Sequence, residues 1–282
     1  MLKYIFPQDK PISKELFRLS FPVILSNLSR VLMSVVDVAM VGRLGAAALA
    51  ATGMGAMLFW GALSLVIGIR TGVQTVASRR LGQKKYDQCG TALHNGLFMA
   101  TVYALPMSIA GWWLAKDFIP FFINDLKATP LTIEYSSIVF LGILFSAYSF
   151  VFQGFYTGIE KTKIHMKVSI TSNIINVYLN AGLIYGSEGV KLFFSENAPA
   201  LTFLSYFWQW TAFPAMGVKG AAIATLVASL WMFVHYGAYL FSKQIKSRFA
   251  VLSLSVNGVM MNRQLRLAAP QGLQEMFIAV GW

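Results

Sequence analysis

Six apolar stretches separated by short polar segments pattern this chain, at roughly 16–41, 49–76, 93–115, 133–159, 168–185 and 218–241, and a seventh opens near Leu265. Each is close to or above the about 20 residues that a helix rising 1.5 Å per residue needs to cross hydrocarbon. The pattern predicts an all-α polytopic membrane protein: six transmembrane helices in one lobe, with a truncated seventh. Five segments follow: a cytoplasmic N-terminal arm (1–15), a six-helix lobe (16–242), an extended outer loop within it (187–216), a cytoplasmic linker (243–264) and the start of a second lobe (265–282).

Composition agrees with a lipid environment. The chain is 56% hydrophobic and 12% charged, against about 25% charged for soluble domains. The polar opening to Leu16 has no short apolar core followed by a small-residue cleavage site, so it does not read as a signal peptide. The net charge of +12 is not gathered on one solvated face, which argues against a nucleic-acid partner. It alternates between loops instead. The arm and the loops after spans two, four and six hold sixteen Lys and Arg, the opposite loops hold five, and only Arg30 and Arg70 fall inside spans. By the positive-inside rule the N-terminus is cytoplasmic, and the expected location is the plasma membrane, the inner membrane of a bacterium. The single cysteine, Cys89, forms no internal disulfide.

The 187–216 segment is long for a helix connection and rich in aromatics, among them Phe193, Phe194, Tyr206, Trp208 and Trp210. That composition suits an interfacial helix at the headgroup level, with a substrate-contacting lid as the other reading. A short repeat is also visible. Phe17-Arg18-Leu19-Ser20-Phe21-Pro22, then Leu25, recurs as Leu265-Arg266-Leu267-Ala268-Ala269-Pro270, then Leu273. Transporters are often built from two six-helix halves, so the repeat predicts a further six-helix half beyond Trp282, with the present chain a fragment.

Motifs of soluble enzymes are missing from the sequence: no P-loop, HExxH or CxxC occurs, and His94, His165 and His235 are scattered and read as helix-end or packing residues. No enzyme and no cofactor is expected. Asp37 is the acid deep in the six complete spans, where a charge costs about 2.5 to 3.5 kcal/mol on insertion scales. Either it faces a polar cavity and binds a cation or proton, or it is a static partner for Arg30, seven residues earlier on the same helical face. Span five supplies a matching polar stripe, Ser169, Asn173, Asn176 and Asn180, at intervals of four, three and four. These amides bind a ligand or glue helices together, the latter at about 0.6 to 2 kcal/mol per bond. Asp37 precedes Gly42 by five residues and Asn180 precedes Gly186 by six, which puts both about 8 to 9 Å below their helix ends. A carboxylate beside amide oxygens suits a hard cation or a proton. Pro22, early in span one, is placed to bend that helix or to hold a fixed kink. Gly53 with Gly55 and Gly68 with Gly72 fit close helix packing in lipid better than a dinucleotide loop.

The run Phe21-Pro22-Val23-Ile24-Leu25-Ser26-Asn27-Leu28, the stretch Val36 to Gly45 and the Ala47 to Ala51 segment resemble the first-helix signature of the MATE family, multidrug and toxic compound extrusion. Ala77-Ser78-Arg79-Arg80-Leu81-Gly82, Gly158 with Thr162-Lys163, Asn176 with Asn180 and Gly186, and Met216 to Thr225 are similar to later family segments in the same order. The resemblance covers essentially the whole chain. It implies one lobe of a twelve-helix antiporter that exports amphipathic, often cationic organic compounds in exchange for H+ or Na+, completed by a C-terminal lobe. It further implies a cation or proton site at Asp37, Asn176 and Asn180, with Asp37 and Asn180 as ligands if the ion is Na+. Asn173, Gln153, Tyr156, Thr225 and Arg30 are the expected cavity-lining residues. Some members carry a second acid on helix five where this chain has Asn180, which leaves the ion open. The competing reading is a lipid-linked oligosaccharide flippase of the same superfold. Such a cavity wants several Arg or Lys for a pyrophosphate, and here only Arg30 and Arg70 are available.

Overall fold

The computed structural model describes residues 10–197 and 199–280; residues 1–9 of the expected N-terminal arm and residues 281–282 of the seventh helix lie outside them. Among the described residues the regular structure is entirely helical: α1 (Lys10–Gly42), α2 (Ala46–Gly82), α3 (Tyr86–Phe118), α4 (Ala128–Leu141), α5 (Ile143–Gly158), α6 (Thr162–Asn197), α7 (Tyr206–Gln209), α8 (Val218–Leu240), α9 (Lys243–Phe249) and α10 (Gly258–Val280). Four helices, α1, α2, α3 and α8, are each long and apolar enough to span a bilayer, and α4 with α5 makes one further bent span.

Helix α6 has the length but falls short on mean apolarity, because Ser169, Ser172, Asn173, Asn176 and Asn180 occupy one of its faces. That face is turned inward, so the polar atoms are spared contact with lipid.

Apolar on every side, α2 takes the centre of the bundle, packed by α3, α4, α5 and α10. Helix α1 sits at the periphery, mainly against α6. It leaves Phe17, Phe21, Ile24, Leu28, Val31 and Val35 exposed, an arrangement stable only where the surroundings are themselves apolar. It runs through Pro22 as one helix, and the buried Ser26 hydroxyl donates to the Pro22 carbonyl at 2.7 Å.

The single span expected at 133–159 is instead two helices that meet at Gly142 with a 48° bend. The Ser108 hydroxyl of α3 lies 2.8 Å from the Phe140 carbonyl and 3.2 Å from that of Leu141. A break in hydrocarbon is tolerable only when the released carbonyls find such partners.

The segment after α6's main span differs in form from an irregular loop. At Gly186 the backbone turns to φ +73°, the left-handed region that suits glycine, and a second helical stretch then runs to Asn197. The chain folds back over this end of α6. Ser187 N–H donates to Phe213 O at 3.0 Å, Met216 N–H to Leu183 O at 2.8 Å, and the Trp208 indole to Tyr178 O at 2.8 Å. Its aromatic residues pack on one another and on their neighbours: Phe194 lies 6.2 Å from Trp208, Tyr178 stacks on Trp208 at 5.2 Å, and Arg43 lies over Phe193 at 4.5 Å.

At the opposite end, α10 begins at Gly258, so the last residues of the expected linker are already helical. The remainder is fastened to α3. Asn95, fully buried, donates to Asn257 O at 3.2 Å and accepts from Asn257 N–H at 3.0 Å. His94 bridges Val251 O at 2.9 Å and Ser255 N–H at 3.2 Å. Asn95→Ala would leave a backbone donor and acceptor unpaired, a loss of about 1 to 3 kcal/mol. It is expected to lower the melting temperature in detergent and to speed amide exchange in 250–258.

Candidate functional site

A cavity of about 220 Å³ opens between α1, α2, α5, α6 and α8. It exists because two helices present polar stripes to each other. Ser26, Arg30, Met33 and Asp37 recur every three or four residues on α1, and His165, Ser169, Asn173 and Asn176 do the same on α6; all line the cavity. The aromatic wall comes from Phe59, Trp60 and Phe150.

Asp37 and Asn180 meet. The Asn180 amide Nδ2 donates to Asp37 Oδ1 at 2.5 Å and also lies 3.1 Å from Asn176 Oδ1. With both amide hydrogens spent, the Asn180 carbonyl oxygen is buried with no hydrogen-bond partner. Asn173 reaches α1 separately, donating to Ser29 Oγ at 2.7 Å. Among the described residues the ion pairs are Arg18–Glu15 and Lys219–Glu134, and neither involves Asp37. Arg30 contacts Asn27 Oδ1 at 3.4 Å, not Asp37.

The group around Asp37 is therefore a carboxylate and two amide oxygens on adjoining helices, one oxygen still without a donor. Hard cations take oxygen ligands, and a proton or cation there would relieve the unpaired buried acceptor. Among the described residues no cluster of three or more His, Cys, Asp or Glu is present, so the chemistry is that of one acid assisted by amides.

Thr225 lines the cavity and bonds back to Ala221 O at 3.0 Å. Gln153 lines it as well, tied to His165 at 3.0 Å and to Arg70 at 3.5 Å. Tyr156 stands apart: it is fully buried in the core, stacked on Tyr236, its hydroxyl donating to the Tyr236 carbonyl at 2.9 Å. Two further residues bear on the site. Ser29, outside the cavity lining, is the α1 partner of Asn173 and lies seven residues before Val36 on the side that meets α6. His165, which reads from the sequence as a helix-end or packing residue, lines the cavity and continues the α6 stripe four residues before Ser169, the spacing that signals it.

Comparison with known proteins follows the same line. The MatE family model matches residues 22–181, more than half of the chain, and the chain belongs to that family, a family of membrane transporters. It is 31% identical over 179 residues to a probable multidrug resistance protein NorM of Photorhabdus laumondii, covering 63% of this chain and 39% of that protein. A second probable NorM, from Idiomarina loihiensis, is 25% identical over 242 residues, covering 84% and 46% respectively. The chain thus spans somewhat under half the length of these relatives. Among solved structures, an outward-facing multidrug resistance MATE family transporter of the MOP superfamily superposes with a TM-score of 0.78 at 20% identity, over 95% of this chain and 53% of that one. A MOP superfamily transporter from Pyrococcus furiosus, described as having a binding pocket of reversed polarity, gives 0.77 at 20% identity over the same shares. These likenesses establish the fold. The flippase reading is not favoured by the relatives, whose names are those of multidrug resistance proteins.

Proposed function

We propose that this chain forms one lobe of a cation-coupled antiporter that exports amphipathic, often cationic organic compounds, with Asp37, Asn176 and Asn180 as the coupling site. The observation that carries the reading is the state of Asp37: a carboxylate inside a membrane-spanning bundle whose hydrogen-bond partner is one amide, beside a buried and unpartnered amide oxygen. Such a group gains most from binding a positive charge. An ion entering from outside and a cationic cargo coming from inside compete for the same carboxylate, and that competition is the coupling. The basic loops favour a cytoplasmic N-terminus, and a rocking carrier needs a second lobe to rock against, which relatives of about twice this length have room to encode.

The test is drug accumulation in vesicles bearing a polypeptide that joins this lobe to a second one, under an imposed proton or sodium gradient. Uptake of a lipophilic cation is expected to rise severalfold with one of the two gradients and to collapse with the matching ionophore. Equal accumulation with and without either gradient would rule the antiporter out.

A further inference from the structure

The cavity has a second charged end that the coupling site does not use. Arg30 lies seven residues before Asp37 on the same face of α1, about 10 Å along the helix axis, and both line the cavity. Behind that end stands Arg70 of α2, half-buried, its Nε buried without a partner and its Nη1 3.5 Å from Gln153 Oε1. Neither guanidinium forms an ion pair among the described residues. The charged groups near enough to act on Arg70 at longer range are Arg30 and Glu275, and Glu275 already accepts from Gln271 at 3.1 Å.

The polar side chains between them are aligned by donor chemistry. Because Arg70 has only hydrogens to offer, Gln153 turns its oxygen to it and its Nε2 toward His165 Nε2 at 3.0 Å. His165 must then accept at Nε2 and hold its proton on Nδ1, 2.6 Å from the Tyr236 hydroxyl. This fixes a neutral imidazole and leaves two positive groups at this end of the cavity with no negative partner at contact distance. Arg30 is exposed to the cavity and Arg70 lies over the Phe150 ring at 5.8 Å, and a cationic end of this kind suits an anion.

We propose that the Arg30 end of the cavity is an anion-recognising subsite for a carboxylate on the cargo, with Arg30 as the direct ligand and Arg70 as a positioning residue that orients Gln153 and adds charge behind it. The preferred cargo then carries an ammonium and a carboxylate about 10 Å apart, the first on Asp37 and the second on Arg30. The inference rests on the reading of this cavity as the cargo site.

The test is equilibrium binding of aminobutyl-benzoate and of its methyl ester to the chain in phospholipid nanodiscs. The acid and ester share the ammonium and differ in the carboxylate alone. The acid is expected to bind about tenfold more tightly, the scale of one charge-assisted hydrogen bond. Arg30→Gln is expected to erase that preference, the acid losing about tenfold and the ester far less. Arg70→Lys, which keeps the charge and loses the Gln153 geometry, is expected to reduce the preference only in part. Equal binding of acid and ester by the unaltered chain, or an Arg30→Gln variant that weakens both alike, overturns the anion end while sparing the cation site. No binding of either probe overturns the cargo cavity itself, and the subsite with it.

Discussion

Asp37→Asn is expected to abolish ion-driven export while leaving the fold intact. The substitution is isosteric: the Asn180 amide, now 2.5 Å from a carboxylate oxygen, would still find an oxygen to donate to. What disappears is the negative charge. A hydrogen bond to a charged group is worth about 1.5 to 3 kcal/mol, so affinity for the coupling cation should fall about 10- to 150-fold, enough to uncouple transport at ordinary ion concentrations. The variant should melt within a degree or two of the parent protein and still bind uncharged amphipathic compounds. Ion-gradient-dependent uptake into vesicles is the measurement. Undiminished uptake by Asp37→Asn would place the coupling elsewhere. Glu at the same position keeps the charge but adds a methylene in a site already closed by Asn180, and partial coupling is expected from it.

The meeting of Asp37 with Asn180 could be anticipated because both were counted from glycines that end their helical runs, Gly42 at the close of α1 and Gly186 at the break in α6. Rise per residue is a constant, so depth carries over from sequence to structure. Azimuth within one helix carries over as well, which is why Asn173 and Asn176 share the cavity face. What a periodicity cannot contain is the identity of the facing neighbour. Tyr156 was expected at the cavity, but its hydroxyl is taken by the Tyr236 carbonyl eighty residues away, and nothing local to either residue announces that pairing. The bend at Gly142 was hidden in the same way, since it depends on Ser108 of another helix to receive the freed carbonyls. A lone histidine near a helix start reads as a helix-end or packing residue, and the part of His165 in the Gln153 chain exists only once α5 is alongside.

Gly72→Leu is expected to separate α10 from the rest of the bundle. Gly68 and Gly72 lie one helical turn apart on α2 and face the α10 backbone. A Cβ at Gly72 would stand 2.6 Å from the Gln264 carbonyl oxygen, and one at Gly68 would stand 2.9 Å from the Gly272 nitrogen. These are backbone atoms, which cannot swing aside as the end of a side chain can. Gln264 is held further by its own amide, which donates to Ala92 O at 2.9 Å in a fully buried position. Small residues let helices in lipid gain from close van der Waals approach, and forcing extra methylenes into such a seam costs about 1 to 3 kcal/mol, sometimes more. Gly61, on the same helix, has nothing within 4 Å of a Cβ. Gly61→Ala is therefore expected to gain up to about 1 kcal/mol from helix propensity, and Gly72→Ala to lose stability despite the identical chemical change. Opposite shifts in melting temperature in detergent would identify the α2–α10 contact as the cause, whereas equal shifts would mean that the two helices do not approach so closely.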